Sequence, residues 1–326
     1  MSVTLAGALN LALDEALAAD DSVVVIGEDV GRTGGVFRVT DGLLAKYGPD
    51  RVVDTPVAES GIAGVALGLA ANGMRPVIEM QFMGFSYPAF DQIISHIARI
   101  RNRSRHRFSA PMVIRIPFGG GIGAAEHHSE SAEAIYVHTP GLKVVVPSRP
   151  SDAYGLLRSA IDDPDPVVVL EPIRLYRSVK EDLPEDPDVV TIGEASVERA
   201  GDDITLVSYG AMMKESREAA DVLGDSGVGV DLIDLRTLSP LDIKTVLDSV
   251  RRTTRVVLVS EAPRTAGVMS EVSALISERA LYSLTAPVQR ITGWDTIFPL
   301  KRSEHLFLPS TDRIVEAARR ALDESL

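Results

Sequence analysis

The stretch Arg51-Val52-Val53-Asp54-Thr55-Pro56-Val57-Ala58-Glu59-Ser60-Gly61-Ile62-Ala63-Gly64-Val65-Ala66-Leu67-Gly68 decides the fold. Residues 51–57 read as a short strand, and 60–72 as a helix built from small residues. Another apolar run, 76–80, follows. Strand, helix, strand predicts a parallel sheet with helices on both faces.

The same alternation extends both ways. Upstream, Leu5, Ala8, Leu9, Ala12, Leu13, Ala16 and Leu17 recur at helical spacing after Thr4, an N-cap residue type. A strand at 23–26 then runs into Gly27-Glu28-Asp29 and a glycine-containing loop, 31–35. Downstream, 112–116, 143–146 and 167–170 are apolar runs without in/out alternation, as expected of strands covered on both faces. Helical patterns occupy 88–103 and 152–161. The acidic, proline-bearing stretch 180–187 lacks periodicity and reads as a linker. Beyond it, strands are expected at 204–208, 228–235, 256–259 and 288–291, with helices at 212–223, 241–250, 269–281 and 314–322. The expected organisation is two doubly wound α/β domains, 1–178 and 191–326, joined by a linker at 179–190.

Composition narrows the function. The 326 residues are 45 % hydrophobic and 24 % charged, an ordinary globular balance sufficient for two cores. The net charge of −13 repels a nucleic-acid backbone, so nucleic acid is not expected as a partner. With no cysteine there is no disulfide, thiolate metal site or thiol nucleophile. No apolar run reaches the ~18–20 residues of a membrane span, and no basic segment followed by an apolar core opens the chain, so a cytoplasmic location is expected. There is no Gly-Lys-Ser/Thr phosphate loop, no Gly-x-Gly-x-x-Gly opening a helix and no Gly-x-Ser-x-Gly elbow.

Four features could carry chemistry. Glu59 sits where a strand gives way to a helix, at the edge where α/β sheets bind ligands; the plain alternative is an exposed first-turn acid favoured by the helix dipole. The helix after it holds Gly61, Gly64 and Gly68, each weakening an isolated helix by up to ~1 kcal/mol. Close approach of another backbone would compensate, either its own sheet or a second subunit. Third, Glu126-His127-His128-Ser129-Glu130 follows the loop Gly119-Gly120-Gly121-Ile122-Gly123. Its histidines could be acid/base groups, ligands of a substrate carboxylate, metal ligands together with His138, or structural. Fourth, Ser159-Ala160-Ile161-Asp162-Asp163-Pro164-Asp165-Pro166 is a helix end running into a turn, whose unpaired carbonyls fit a hard cation or an ordinary turn.

Taken together, several segments resemble one family over nearly the whole chain: the β subunits of the decarboxylase component of 2-oxoacid dehydrogenase complexes. The matching segments are Ile26-Gly27-Glu28-Asp29-Val30, 55–64, Gln81-Phe82-Met83-Gly84-Phe85, Phe90-Asp91-Gln92-Ile93, His128-Ser129, Pro140-Gly141-Leu142-Lys143-Val144, Asp165-Pro166-Val167, Asp234-Leu235-Arg236-Thr237-Leu238 and Pro240. The resemblance implies an N-terminal pyrimidine-binding, transketolase-like domain and a C-terminal transketolase-type domain. It also implies thiamine diphosphate as cofactor. Thiamine enzymes anchor the diphosphate through Mg²⁺ at Gly-Asp-Gly, and this sequence has none. The Mg²⁺ and diphosphate half is therefore expected on an α subunit, in an assembly of two α and two β chains.

By the same resemblance Glu59 is the catalytic glutamate, exchanging a proton with the aminopyrimidine ring. Glu28, Val57, Ala58, Gln81 and Phe85 contact the cofactor, and Phe82, Met83, Gly84 and Phe85 border the substrate. His128 meets the substrate or the lipoyl group of the acyltransferase component. Ser129 sets the register that favours His128 over His127. Met112, Ala160, Ile161, Asp163 and Asp165 match a potassium site. Where members often read His-Ser-Gln, this chain reads His128-Ser129-Glu130, and an ionised Glu only accepts hydrogen bonds. The short 82–85 segment and the His-His-Ser version favour branched-chain 2-oxoacids over pyruvate, with pyruvate and acetoin-cleaving types as alternatives. One methylene in an apolar pocket is worth only ~1–3 kcal/mol of discrimination. Readings of another class are a thiamine enzyme active on one chain and a non-catalytic α/β scaffold.

Overall fold

The computed structural model describes residues 2–324. The chain divides into two compact units, Met1–Phe118 with Ile135–Ile192 and Gly119–Ala134 with Gly193–Leu326, each over its described residues.

In the first unit the strands are β1 (Ser2–Thr4), β2 (Val23–Gly27), β3 (Val52–Asp54), β4 (Arg75–Glu79), β5 (Val113–Phe118), β6 (Lys143–Val145), β7 (Val167–Pro172) and β8 (Lys180–Asp182). Strands β2 to β7 are parallel, in the order β6-β7-β5-β4-β2-β3. Every residue of β2, β5 and β7 is buried, which is why these runs do not alternate. The chain moves from β2 to β3 on one side, then crosses to β4 on the other. Ligands bind at such a reversal, outside the carboxyl ends of the strands.

The helix Leu5–Ala19 begins as its sequence predicts. The Thr4 hydroxyl accepts from the Gly7 N–H at 3.1 Å, and Leu5, Leu9, Leu13 and Leu17 form a buried stripe. Its outer edge is tied to the helix Pro150–Asp162, where Tyr154 and Arg158 both donate to Glu15, at 2.6 and 3.0 Å.

One expectation is corrected. Residues 88–103 do not form one α-helix. The segment is a 3₁₀ stretch (Met83–Ala89), a π-helix (Asp91–His96), a second 3₁₀ turn (Ile97–Arg99) and a short α-helix (Ile100–Arg103). Pro88 brings no N–H, and the Ile97 N–H is shared between the carbonyls of Gln92 and Ile93. The stretch expected as a linker carries structure of its own. Lys180–Asp182 pairs antiparallel with Ser2–Thr4. Farther along, Ser159 Oγ donates to the Val190 carbonyl at 2.7 Å, and a Cβ on Gly155 would crowd Asp188 and Val190. This stretch is docked on the first unit because its backbone finds partners there.

A buried ion cluster crosses the sheet of the first unit. Arg115, fully buried in β5, donates through Nε and Nη2 to both oxygens of Glu171 (2.7 and 2.8 Å) and through Nη1 to Glu79 (2.5 Å). Tyr176 donates its hydroxyl to Glu171 at 2.5 Å. Burial raises the Glu79 carboxyl and the neighbouring Glu171 adds to this, while Arg115 opposes both.

The second unit has β9 (Ser196–Arg199), β10 (Ile204–Ser208), β11 (Val230–Asp234), β12 (Thr237–Ser239), β13 (Val256–Val259) and β14 (Gln289–Ile291). Its sheet runs β14-β13-β10-β11-β9, parallel except for the antiparallel edge strand β9. Helices Met212–Asp225 and Thr311–Asp323 bury Met213, Leu223, Ile314 and Ala318 in a core with Leu206, Leu232 and Val257. The segment 119–134 belongs to this unit: Tyr209 donates to Glu133 at 2.5 Å, and Gly119 lies too close to Glu261 for any Cβ.

Candidate active site

Three adjacent parallel strands, in the order β4-β2-β3, deliver the candidate residues to one edge. Glu28 follows β2, the segment Thr55 to Glu59 follows β3, and Gln81 to Phe85 follow β4. The packing is tight at the base: a Cβ on Gly27 would sit about 3 Å from the Val30 side chain and the Glu79 carbonyl. Asp29 adopts a left-handed conformation (φ 60°) and accepts from Gln81 Nε2 at 3.1 Å, joining the ends of β2 and β4.

Glu59 is the first residue of the helix Glu59–Ala71 and is only 9 % exposed. That sets aside the exposed-acid alternative, though the dipole argument for an acid at this end still holds. Glu28 is 5 % exposed. Burial raises its carboxyl above the usual range, and the Glu59 and Asp29 carboxylates add to this. An Ala58 backbone N–H pulls the other way. Glu28 Oε1 has no hydrogen-bond partner among the described residues, and neither does Thr55 Oγ1. A buried acceptor left open at a sheet switch point is an unmet demand that a ligand can satisfy.

Beside Glu59 the site turns apolar. Val57 is 79 % exposed and Val65 is 59 % exposed. A cavity of about 460 Å³ lies on this face, lined by Ile26, Val53, Pro56, Ala58, Ile62 and Val65 among others. Of the helix glycines, Gly64 meets only the Gln92 side chain and Gly68 has nothing within 4 Å. Among the described residues, no backbone supplies the close approach that would offset them.

Phe82, Met83 and Gly84 are buried, and Phe85 is half-buried. The Phe82 and Phe85 rings meet edge to face, centroids 5.5 Å apart. His128 belongs to the second unit, in the turn Glu126–His128, where its N–H donates to the Ala125 carbonyl at 3.0 Å. His127 is exposed and His128 half-buried, so His128 is the more constrained of the two.

The expected cation residues gather at the end of the helix Pro150–Asp162. The Ile161 carbonyl accepts from Arg75 at 2.7 Å, and the Met112 carbonyl accepts from the Val167 N–H at 3.0 Å. Lys143 pairs with the Asp163 carboxylate at 2.6 Å and Arg101 with Asp165 at 2.5 Å. With both carboxylates matched, only carbonyl oxygens would be available to a cation here.

Sequence reasoning missed Asp54 and Phe37. Asp54 accepts from the N–H groups of Gly31 and Arg32 at 2.6 and 3.1 Å, fixing the loop after Glu28. Phe37 packs against Phe82 with centroids 5.4 Å apart. For Asp54, its place at the end of a strand run was a readable signal; Phe37 left none.

Comparison with known proteins identifies the family. Residues 1–179 match the transketolase pyrimidine-binding domain and 193–314 the transketolase C-terminal domain. A pyruvate dehydrogenase E1 component subunit beta of Staphylococcus epidermidis is 51 % identical, covering 98 % of this chain and 99 % of that protein. Proteins of the same name from Bacillus subtilis, over 98 % and 99 %, and Acholeplasma laidlawii, over 98 % and 97 %, are each 48 % identical. Among solved structures, a split-gene transketolase in an inactive beta4 tetramer superposes with a TM-score of 0.81 at 25 % identity, covering 99 % of both chains. The chain belongs to the transketolase-like β subunits of the E1 component of 2-oxoacid dehydrogenases.

Proposed function

We propose that this chain supplies the pyrimidine-binding half of a thiamine-diphosphate site and is active only when an α subunit supplies the diphosphate half. The observation that carries the reading is the buried pair Glu28 and Glu59 at the sheet switch point, with one Glu28 oxygen unpartnered. This donor set fits an aminopyrimidine, which offers ring nitrogens and an amine along a flat apolar face. Glu59 would hold and return a proton at a ring nitrogen. Glu28 would orient Glu59 through their shared burial, while Val57, Ala58, Gln81 and Phe85 would frame the ring and exclude water. When bound, the cofactor supplies the electron sink for loss of carbon dioxide from a 2-oxo acid.

In this reading Mg²⁺ is left to the partner, since this chain has no Gly-Asp-Gly motif. The exposed Val57 and Val65 and the open Gly68 give the α subunit a surface to cover, in an α₂β₂ assembly. The split-gene transketolase is inactive as a beta4 tetramer, which supports the same division of labour. In this reading His128 receives the substrate or the lipoyl arm of the acyltransferase. Potassium would use the carbonyls of Met112, Ala160, Ile161, Asp163 and Asp165.

Pyruvate is the proposed substrate. The relatives above carry the pyruvate name, and none of them supports the branched-chain preference expected from the 82–85 segment. Co-expression with an α subunit carrying Gly-Asp-Gly, followed by carbon dioxide release from pyruvate against 3-methyl-2-oxobutanoate, tests the proposal. A lone chain that binds Mg²⁺-thiamine diphosphate tightly and turns over either acid would overturn the half-site reading. Preference for the branched acid would overturn the substrate.

A further inference from the structure

We propose that Phe37 is a specificity-determining residue of this site, held in place by Tyr176 and the buried Arg115 cluster and acting on the segment Phe82 to Phe85. The inference rests on the reading of that segment as the substrate border.

The loop carrying Phe37 is tied at its base. Gly35 N–H donates to the Asp29 carbonyl at 2.8 Å, Thr40 N–H to the Gly34 carbonyl at 3.1 Å, and Thr40 Oγ1 to the Val30 carbonyl at 2.7 Å. Gly35 rests over the cluster, where a Cβ would come 3.4 Å from Glu79 Oε1. From this loop the Phe37 ring lies between two others. Its centroid is 5.0 Å from that of Tyr176, tilted 35°, and 5.4 Å from that of Phe82, at 73°. Phe82 in turn meets Phe85 edge to face.

The far end of this series is anchored. The Tyr176 hydroxyl is bonded to Glu171, and Glu171 is clamped by two parallel bonds from Arg115 in the middle of β5. A guanidinium gripping a carboxylate with two bonds fixes orientation as well as distance. Three ring contacts thus run from a rigid strand to Phe85. Phe37 and Phe85 are both half-buried, whereas the residues between and behind them, Phe82 and Tyr176, are buried. A ring that sets the position of an open wall would keep one edge exposed, as Phe37 does.

The test uses the assembled complex with pyruvate, 2-oxobutanoate and 3-methyl-2-oxobutanoate. Phe37→Leu removes the ring contacts and keeps an apolar side chain. The ratio of kcat/KM between the branched acid and pyruvate should change by roughly 3- to 10-fold, the factor one ring contact carries. The change should arise in KM, with kcat within about 2-fold of the parent, a uniform-binding effect. Phe37→Tyr should restore the parent ratio, and Tyr176→Phe should move it the same way as Phe37→Leu by a smaller factor. An unchanged ratio, or equal losses of activity toward all three acids, overturns the proposal. If Phe37→Leu does not assemble, the ratio for Tyr176→Phe decides by the same criterion. A parent complex that decarboxylates none of the three acids overturns the functional reading itself, before any variant is compared.

Discussion

The ion cluster in the first sheet makes a sharp prediction because its charges do not balance. One guanidinium, Arg115, faces two carboxylates, Glu79 and Glu171, with no exposure for Arg115 or Glu171 and 4 % for Glu79. Arg115→Met keeps most of the volume but leaves two acids with no cation. Breaking a buried pair from one side costs about 3–5 kcal/mol, against a total of ~5–15 kcal/mol for a folded protein. At ~2–4 °C per kcal/mol for a unit of this size, the melting temperature should fall by roughly 10 °C. Glu79→Gln should act differently. The amide oxygen still accepts from Arg115, the surplus charge is gone, and the change should stay within ~1 kcal/mol at neutral pH. The sign with pH follows from the raised Glu79 carboxyl. A raised folded-state pKa gives stability that is complete below the ordinary value of 4.5 and is lost as pH rises through the folded value. Glu79→Gln should therefore gain on the parent as pH rises. Thermal melts followed by circular dichroism between about pH 5 and 8 read both effects. Equal losses from the two substitutions, or a Glu79→Gln difference that is flat with pH, would refute the reasoning.

The remaining predictions concern the site and its frame. Glu59→Gln in the assembled complex should lower decarboxylation by ~10²–10⁴-fold, as expected for a proton-transferring side chain, with assembly and melting temperature retained; a rate near that of the parent removes Glu59 from the mechanism. Glu28→Gln should become more stable than the parent as pH rises above 4.5, because burial first and then Glu59 raise the Glu28 carboxyl, and melting across pH checks it. Gly141→Ala should cost about 2–3 kcal/mol, read from the urea midpoint, since Gly141 has φ 99° and a Cβ would fall on the Ala98 carbonyl oxygen.

How much of this could be read in the sequence depended on how local the cause was. The parallel sheet was legible because its strands are continuous apolar runs, and Thr4 marked a helix start because a cap acts over three residues. The placement of Glu28, Glu59 and Gln81 at strand ends followed from the same alternation. Residues 88–103 misled because apolar spacing reports which side chains are buried, and Ile93 and Ile97 are. It does not report which carbonyl each N–H chooses, and here the bonding slips to a π-helix. The acidic stretch after Ser178 holds structure that its composition did not announce. Its charges and prolines describe solubility, whereas its docking depends on backbone partners at Ser2–Thr4 and on the space left by Gly155.

The cluster was the most readable of the missed features. Met112-Val113-Ile114-Arg115-Ile116 places an arginine inside an otherwise apolar run that the fold buries on both faces. A guanidinium there must find carboxylates on neighbouring strands, because an unpaired buried charge costs several kcal/mol. The neighbouring runs each carry one near the end: Glu79 between Ile78 and Met80, and Glu171 directly after Leu170. In a parallel sheet, residues at or near the same level of adjacent strands face one another, so parallel pairing brings these three within reach of a long guanidinium side chain. Glu79 faces Arg115 in register, and Glu171 lies two residues beyond the Val169 that does so on the other side. In a doubly wound sheet, a charge inside an apolar run implies partners at, or within two residues of, its own level on the next strands. Those partners then lie just beneath the edge where ligands bind, which is how the aromatic series from Tyr176 to Phe85 acquires a fixed base.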